Sequence, residues 1–227
     1  MHCLSIRIVR SRNIVVSAVG LAAALYIALA PTPVAAVVGV LADPFAPNSL
    51  ILNVQRSAGW RFTPNALLEV THLGLFDQDA DGFTLNYPVG LWNGAGTLLA
   101  NVIIPSGTGA ALDSGFRYME LQSLQGVLLS PGETYTLGYW ASTVAASDRV
   151  VTHDGIVELS PWITQVGAGF NTSQAPQLSM PTNPITDQGF GAEWFGPSFR
   201  FNVVPAPGGM LMLAISGLMK TTRRRRY

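Results

Sequence analysis

Short apolar segments alternate with turn-forming dipeptides along most of this 227-residue chain. Turns of this kind reverse the chain after a few residues, which suits strands and leaves no room for long amphipathic helices. The dipeptides are Asp81-Gly82, Asn93-Gly94, Ser106-Gly107, Pro131-Gly132 and Asp154-Gly155. Their spacing predicts eight strands, near residues 57–63, 67–76, 87–92, 98–104, 116–122, 134–141, 156–159 and 198–203.

Eight short strands without a sustained helical period predict an all-β fold, specifically a single antiparallel β-sandwich of jelly-roll type. Hydrophobic helices are expected only at the two termini. In residues 134–140, Tyr135, Leu137 and Tyr139 alternate with smaller or more polar residues, and we expect them to face the core. The sandwich domain is assigned to residues 53–203.

Charge is sparse and unevenly placed. Only 11% of the residues are charged, and eight of the 13 basic side chains cluster at the two ends. The region between those ends contains all 13 acidic residues but only five arginines, so its net charge is −8. The five arginines are Arg56, Arg61, Arg117, Arg149 and Arg200. An acidic body does not attract phosphate backbones, so nucleic acid is not an expected partner. The single cysteine, Cys3, excludes a disulfide framework or thiolate metal site within one chain.

The N-terminal segment has the composition of a secretory signal peptide. An apolar run at residues 14–30 follows Arg7, Arg10 and Arg12. We expect cleavage after Ala36, with Ala30 as the other candidate, so residues 1–36 form the signal peptide and residues 37–52 a short leader. The alternative is an uncleaved anchor, because the chain stays apolar through residues 34–42.

The last 24 residues combine three features in order. Proline comes first and ends the preceding strand, because it has no N–H for a β-ladder. Residues 208–219 then form an apolar run that would rise about 18 Å as a helix, short of the roughly 30 Å hydrocarbon core. A basic cluster ends the chain and favours the cytoplasmic side of a membrane. The motif is Val204, Pro205, Ala206 and Pro207, and the cluster is Arg223, Arg224, Arg225 and Arg226.

This tail resembles the PEP-CTERM sorting signal of exported bacterial proteins, with Ala206 where the family usually has glutamate. The resemblance implies an exosortase-type sorting enzyme as partner and an association with exopolysaccharide and biofilm. It further implies transient contact with the inner membrane through both termini, and a final location at the cell surface or in the extracellular matrix. An ordinary tail anchor is the alternative for residues 204–227.

The middle of the chain carries a second resemblance. The segments GWRFT at residues 59–63, VTHLGLFD at residues 70–77 and FGPSFRF at residues 195–201 are similar to a bacterial extracellular β-sandwich domain of unknown function. That domain often stands immediately before PEP-CTERM tails. The resemblance implies an architecture but no particular activity or ligand.

One acidic loop has the spacing of a metal site. Asp77, Asp79, Asp81 and Gly82 match the first, third, fifth and sixth positions of a calcium-binding loop, where oxygen ligands converge and glycine permits a sharp turn. Pro88 stands at the twelfth position, where such loops carry a bidentate glutamate. A calcium site and a solvated acidic hairpin are therefore both open, and calcium is the only cofactor considered.

Two tryptophans suggest a different function. Trp162 and Trp194 lie outside the clear strand alternation, so they are candidates for exposed rings that stack on sugars. Core packing is the competing interpretation for large aromatic residues. The alternative function is therefore a carbohydrate-binding module for exopolysaccharide.

Catalytic patterns are weak in this sequence. His72 lies in a strand pattern and His153 in a loop, and no Gly-x-Ser-x-Gly elbow accompanies them. We therefore expect a non-enzymatic protein with no catalytic residues. A hydrolase whose site is dispersed along the chain remains a further alternative.

Overall fold

The computed structural model describes residues 36–42, 49–50, 55–122, 126–141, 148–152, 157–171, 177–184 and 195–205. All of them belong to one unit, Ala35–Tyr227. The expected signal peptide and sorting tail, with their terminal helices, lie outside these residues except for Ala36, Val204 and Pro205. Within the described ranges, no helix is both long and apolar enough to span a membrane.

Sixteen strands form the described part of the chain, and the prediction of an all-β, antiparallel fold is confirmed. They are β1 (Val37–Val38), β2 (Val40–Ala42), β3 (Ser49–Leu50), β4 (Arg56–Pro64), β5 (Leu68–Phe76), β6 (Tyr87–Asn93), β7 (Leu98–Ile104), β8 (Ala111–Asp113), β9 (Phe116–Glu120), β10 (Val127–Leu129), β11 (Tyr135–Ala141), β12 (Val151–Thr152), β13 (Val157–Leu159), β14 (Ile163–Asn171), β15 (Asn183–Pro184) and β16 (Pro197–Val203).

Two six-stranded antiparallel sheets contain most of these strands. Sheet I has the order β1-β16-β5-β9-β8, and β10 pairs with β5 beyond the end of β9. Sheet II has the order β15-β14-β4-β11-β6-β7. Two short ribbons, β3 with β12 and β2 with β13, complete the pairing.

An aromatic cluster joins the two sheets. The ring of Phe62 in β4 stacks on Phe199 in β16, with centroids 4.8 Å apart. Trp60 in β4 meets Phe195 edge-on at 5.3 Å, and its Nε1 donates a hydrogen bond to the Pro197 carbonyl at 2.8 Å. The large apolar rings are therefore buried without leaving the indole donor unsatisfied.

The alternation in β11 places side chains as the sequence predicts. Tyr135, Leu137 and Tyr139 are all buried in the core. Thr136, on the opposite face, is also buried. That face is not open to solvent, because a later segment of the chain covers it.

The covering segment crosses a row of four glycines on the outer face of sheet II. Gly169, Gly59, Gly138 and Gly90 lie side by side on four neighbouring strands, β14, β4, β11 and β6. Residues 177–184, which we call the strap, run across this row and end in β15.

Contacts between the strap and sheet II are close. A Cβ added at Gly138 would lie 2.7 Å from Cγ of Pro181, and one at Gly90 would lie 2.9 Å from Leu178. The Ser179 amide donates a hydrogen bond to Oγ of Ser57 at 3.0 Å. The missing side chains of Gly138, Gly90 and Gly169 therefore provide the space in which the strap packs, whereas a Cβ at Gly59 would meet the backbone of β11.

Strand β14 was not among the predicted strands. Its residues include Gly167 and Gly169, and its register with β4 shifts between Gln165 and Gly167. A bulge and two glycines interrupt the alternation that identifies a strand in sequence. The predicted strands 98–104 and 57–63, in contrast, agree with β7 and β4 to within one residue.

Replacing Gly138 by alanine should loosen the strap. The added methyl group would overlap the ring of Pro181, and overpacking of this kind costs about 1–3 kcal/mol of the free energy of unfolding. Thermal melting of Gly138→Ala and Gly109→Ala checks this, because a Cβ at Gly109 meets nothing within 4 Å. Equal melting temperatures for the two variants would contradict the close packing described here.

Candidate functional site

The acidic loop begins where β5 ends. A three-residue 3-10 helix, Gln78–Ala80, follows Asp77, and the backbone then turns sharply. Asp79 has φ 63° and Gly82 has φ 94°, both in the left-handed region that aspartate tolerates and glycine favours. The Gly82 amide donates to the Asp77 carboxylate at 3.2 and 3.3 Å, which closes the loop.

A buried ion pair fixes this loop to sheet I. Nε of Arg117, in β9, lies 2.6 Å from Oδ2 of Asp77. Only 4% of the arginine side chain and 2% of the aspartate side chain are exposed. Two charges taken out of water need both each other and further hydrogen bonds to persist.

Carbonyl groups from two loops supply the further hydrogen bonds of Arg117. Its Nη1 donates to the carbonyls of Thr108 and Ala110, at 3.2 and 3.0 Å. Its Nη2 donates to the carbonyl of Ala80 at 3.0 Å. The guanidinium therefore holds the acidic loop and the loop after β7 against β9, and its role is structural.

A small cavity of about 170 Å³ opens beside the acidic loop. Aspartates from two parts of the chain face it. The lining residues are Asp77, Gln78, Asp79, Asp81, Gly82, Phe83, Thr84, Asp148 and Arg149. The lining thus combines four aspartates with one arginine, Arg149.

Asp148 is the cavity residue that sequence reasoning missed. Its Oδ2 accepts hydrogen bonds from the amide and hydroxyl of Thr84, at 2.8 and 2.9 Å, and from the Tyr87 hydroxyl at 2.8 Å. Burial and the neighbouring Asp148 carboxylate raise the pKa of Tyr87 well above its ordinary value, so the phenol stays protonated and donates. No local motif marks Asp148, because these partners are 61 to 64 residues away in sequence.

The Asp77 carboxylate is committed to Arg117. Burial raises the pKa of Asp77, and the hydrogen bond and charge of Arg117 oppose that shift. Asp79 and Asp81 are exposed, and the described residues contain no group of three His, Cys, Asp or Glu side chains arranged to hold a metal ion. The three loop aspartates are therefore not brought together as ligands here, and calcium binding stays a prediction.

Trp162 lies in the turn between β13 and β14 and is 40% exposed. Polar groups surround its backbone. Asn65 donates from its amide nitrogen to the Pro161 carbonyl at 2.9 Å and accepts from the Thr164 hydroxyl at 3.0 Å. Trp162, which the sequence predicts to be exposed, is partly exposed and lies in a turn beside the Asn65 amide and the Thr164 hydroxyl. Trp194 lies outside the described residues.

His72 is half-buried in β5, as its strand pattern predicts. Its Nδ1 lies 2.9 Å from Oγ1 of Thr71. Burial and the charge of Arg200 lower the pKa of His72, although Glu120 opposes that shift. His153 lies outside the described residues, as do Ala206, Pro207 and the four terminal arginines.

The comparisons with known proteins give no relative. No protein family matches the chain, no curated protein has a significantly similar sequence, and no solved structure has a significantly similar fold.

Two ion pairs of almost equal length should differ sharply in their contribution to stability. Asp77→Asn leaves the Arg117 charge buried without its counter-ion and should cost about 3 kcal/mol or more of the free energy of unfolding. Asp113→Asn removes the carboxylate 2.7 Å from Arg200, but that aspartate is 44% exposed, so the cost should be about 1 kcal/mol or less. Urea unfolding of both variants measures the difference. Similar costs would show that the Asp77 pair does not fix the loop.

Proposed function

We propose that this chain is a non-enzymatic bacterial protein that is exported and then placed at the cell surface or in the extracellular polymer matrix. An exosortase-type enzyme would recognise its C-terminal segment, and both termini would contact the inner membrane transiently. The order of proline motif, apolar run and arginine cluster in residues 204–227 supports this proposal. The finer architecture that we propose for the two sheets is a jelly-roll-like sandwich.

The position at which the chain leaves sheet I carries the proposal. Strand β16 ends at Val203, and the Val204 amide still donates to the Leu67 carbonyl at 2.9 Å. Pro205 follows and has no N–H to extend the ladder. The buried apolar core among the described residues runs from Val40 to Phe201, so it precedes the motif. A sorting enzyme could therefore cut after the last strand without removing a core residue.

The described polar groups support a non-enzymatic role. Arg117 and Asp77 neutralise each other in a buried pair, and Asp148 accepts three hydrogen bonds. The Thr71 hydroxyl that lies 2.9 Å from Nδ1 of His72 also donates a hydrogen bond to the Arg200 carbonyl at 3.3 Å. These groups serve packing and loop closure in the structure.

Mass spectrometry of the intact exported protein tests the sorting proposal. We expect a mature chain that begins after Ala36 and has lost the arginines at 223–226. Replacing those four arginines by alanine should leave the tail uncut, because no positive cluster would hold it on the cytoplasmic side. Lys220→Ala is the matched control and should be processed normally. Exported protein that retains Tyr227 would overturn the proposal.

A carbohydrate-binding module for exopolysaccharide is the second candidate, and the exposed indole of Trp162 favours it. A flat ring offers an apolar face to a sugar, while Asn65 and Thr164 place hydrogen-bonding groups nearby. The turn is held by the Asn65 amide, which donates from its backbone to the Trp162 carbonyl at 2.8 Å. The platform is therefore fixed to the end of β4 before any ligand binds.

A glycan array distinguishes the two candidates. Trp162→Ala should weaken binding to any glycan retained by the parent protein about tenfold, equivalent to about 1.4 kcal/mol. Leu112→Ala removes an apolar side chain of nearly equal exposure, 43% against 40%, and should leave binding unchanged. If no glycan binds, or if both variants bind equally well, Trp162 is not a sugar platform.

A further inference from the structure

Strand β7 is the last strand of sheet II, and its outer edge is open. It pairs with β6 on one side, through contacts from Tyr87 with Ile104 to Trp92 with Leu98. No described residue pairs with its other side. A row of backbone N–H and C=O groups is therefore available to another strand.

The other edge strands among the described residues are short or irregular. The opposite edge of sheet II, β15, has two residues, ends in Pro184 and covers β14 only at Gly169 and Phe170, and β14 has a register shift between Gln165 and Gly167. The edge strands of sheet I are β1, with two residues, β8, with three residues including Asp113, and β10, with three residues. Strand β7 has seven residues with neither proline nor charge. Its one such protective feature is the register shift near its start, at Leu99, and from Ala100 onward it lacks the features that usually keep an edge strand from pairing with another chain.

The surroundings of β7 are free of charge. Residues 82–112, which include β6, β7 and the loops that flank them, contain no Asp, Glu, Lys, Arg or His. Ile103 is 59% exposed and Leu98 is 46% exposed. The register shift at this pairing lies between Leu91 and Trp92, so it leaves β7 regular from Ala100 onward. An uncharged, regular and partly apolar edge thus faces outward.

A cleft of about 690 Å³ lies along the same strand. Its lining is mainly apolar and carries one charged side chain, that of Glu120. The described lining residues are Leu99, Ala100, Asn101, Val102, Ile103, Met119, Glu120, Leu121, Gln122, Gly126 and Val127. A strand added beside β7 would place alternate side chains towards this space.

We propose that β7 pairs antiparallel with β7 of a second copy of this chain, so that two copies of sheet II become continuous across a two-fold axis. Symmetry and the absence of charge select this occupant. A two-fold axis brings the β7 edge of one copy against the β7 edge of the other, and a strand with neither proline nor charge can pair with itself without like-charge repulsion.

The two-fold axis makes a specific geometric prediction. In an antiparallel pair about such an axis, only the residue at the axis lies directly opposite its own copy. Cβ atoms of directly opposed residues lie about 4.5–5.5 Å apart, whereas diagonal neighbours lie about 7–8 Å apart. A disulfide needs the shorter distance, so cross-linking must peak at a single position along β7.

Single cysteines introduced along β7 test the pairing in the full-length chain. The parent is Cys3→Ser, so each introduced thiol is the only one. The scan places one cysteine at a time at each of the seven positions of β7, from Leu98→Cys to Ile104→Cys, and Leu128→Cys is the control because Leu128 is 59% exposed, as Ile103 is. After mild oxidation, one β7 position should give at least about tenfold more disulfide-linked dimer than the control.

Each outcome of the scan decides the proposal. A peak at one β7 position supports the two-fold pairing. Equal yields at β7 and at Leu128→Cys would overturn it, since they indicate random collision. The absence of cross-linked dimer, or a disulfide to a different protein, would also overturn it, because β7 would then be free or occupied by another partner.

Charge placed on the edge provides a second measurement that does not depend on disulfide geometry. Ile103→Lys should raise the dimer dissociation constant of the full-length chain in detergent at least about tenfold, as an edge lysine opposes strand pairing. Leu128→Lys, with the same exposure, should leave it unchanged. Melting temperatures of both variants separate lost pairing from lost folding. A folded Ile103→Lys variant that dimerises like Leu128→Lys would contradict the proposal.

Discussion

The buried charge of Arg117 constrains the end of the structure where the acidic loop lies. A guanidinium in the interior requires a counter-ion and acceptors for its remaining N–H groups, and here Asp77 and three backbone carbonyls satisfy it. Those acceptors belong to the loop after β5 and the loop after β7, so both loops must adopt fixed positions on β9. The same requirement commits the Asp77 carboxylate to Arg117, while Asp79 and Asp81 stay exposed beside it at the same cavity.

Sequence reasoning identified the elements that depend on local pattern. Strands β4, β5, β7 and β11 have an apolar pattern and clear turns beside them, and their predicted bounds agree closely with the structure. The interactions that define the acidic cavity depend on long-range contacts instead. Arg117 meets Asp77 across 40 residues and Asp148 meets Thr84 across 64, and no spacing rule connects such positions. The exposure of Trp162 could be predicted from the sequence, because an isolated aromatic residue in a turn has few neighbours that could bury it.

The proposed roles divide the chain in a physically consistent way. Among the described residues, the aromatic cluster and the two sheets end at β16, before most of the proposed sorting segment. In the proposed dimer the acidic side chains would lie away from the contact, because residues 82–112, which include β7 and its flanking loops, carry no charge. A protein placed at a surface or in a polymer matrix by its tail would then associate in a defined orientation rather than aggregate through any exposed face.

The glycine row also makes the packing of the strap depend on the register of sheet II. The trough that receives Pro181 and Leu178 does not exist in any single strand, because its floor is formed by four strands in a particular alignment. A slip of one residue in β11 would present Leu137 or Tyr139 in place of Gly138 and expel the strap. The packed position of the strap therefore requires the alignment of sheet II, and a misaligned sheet cannot be covered in this way.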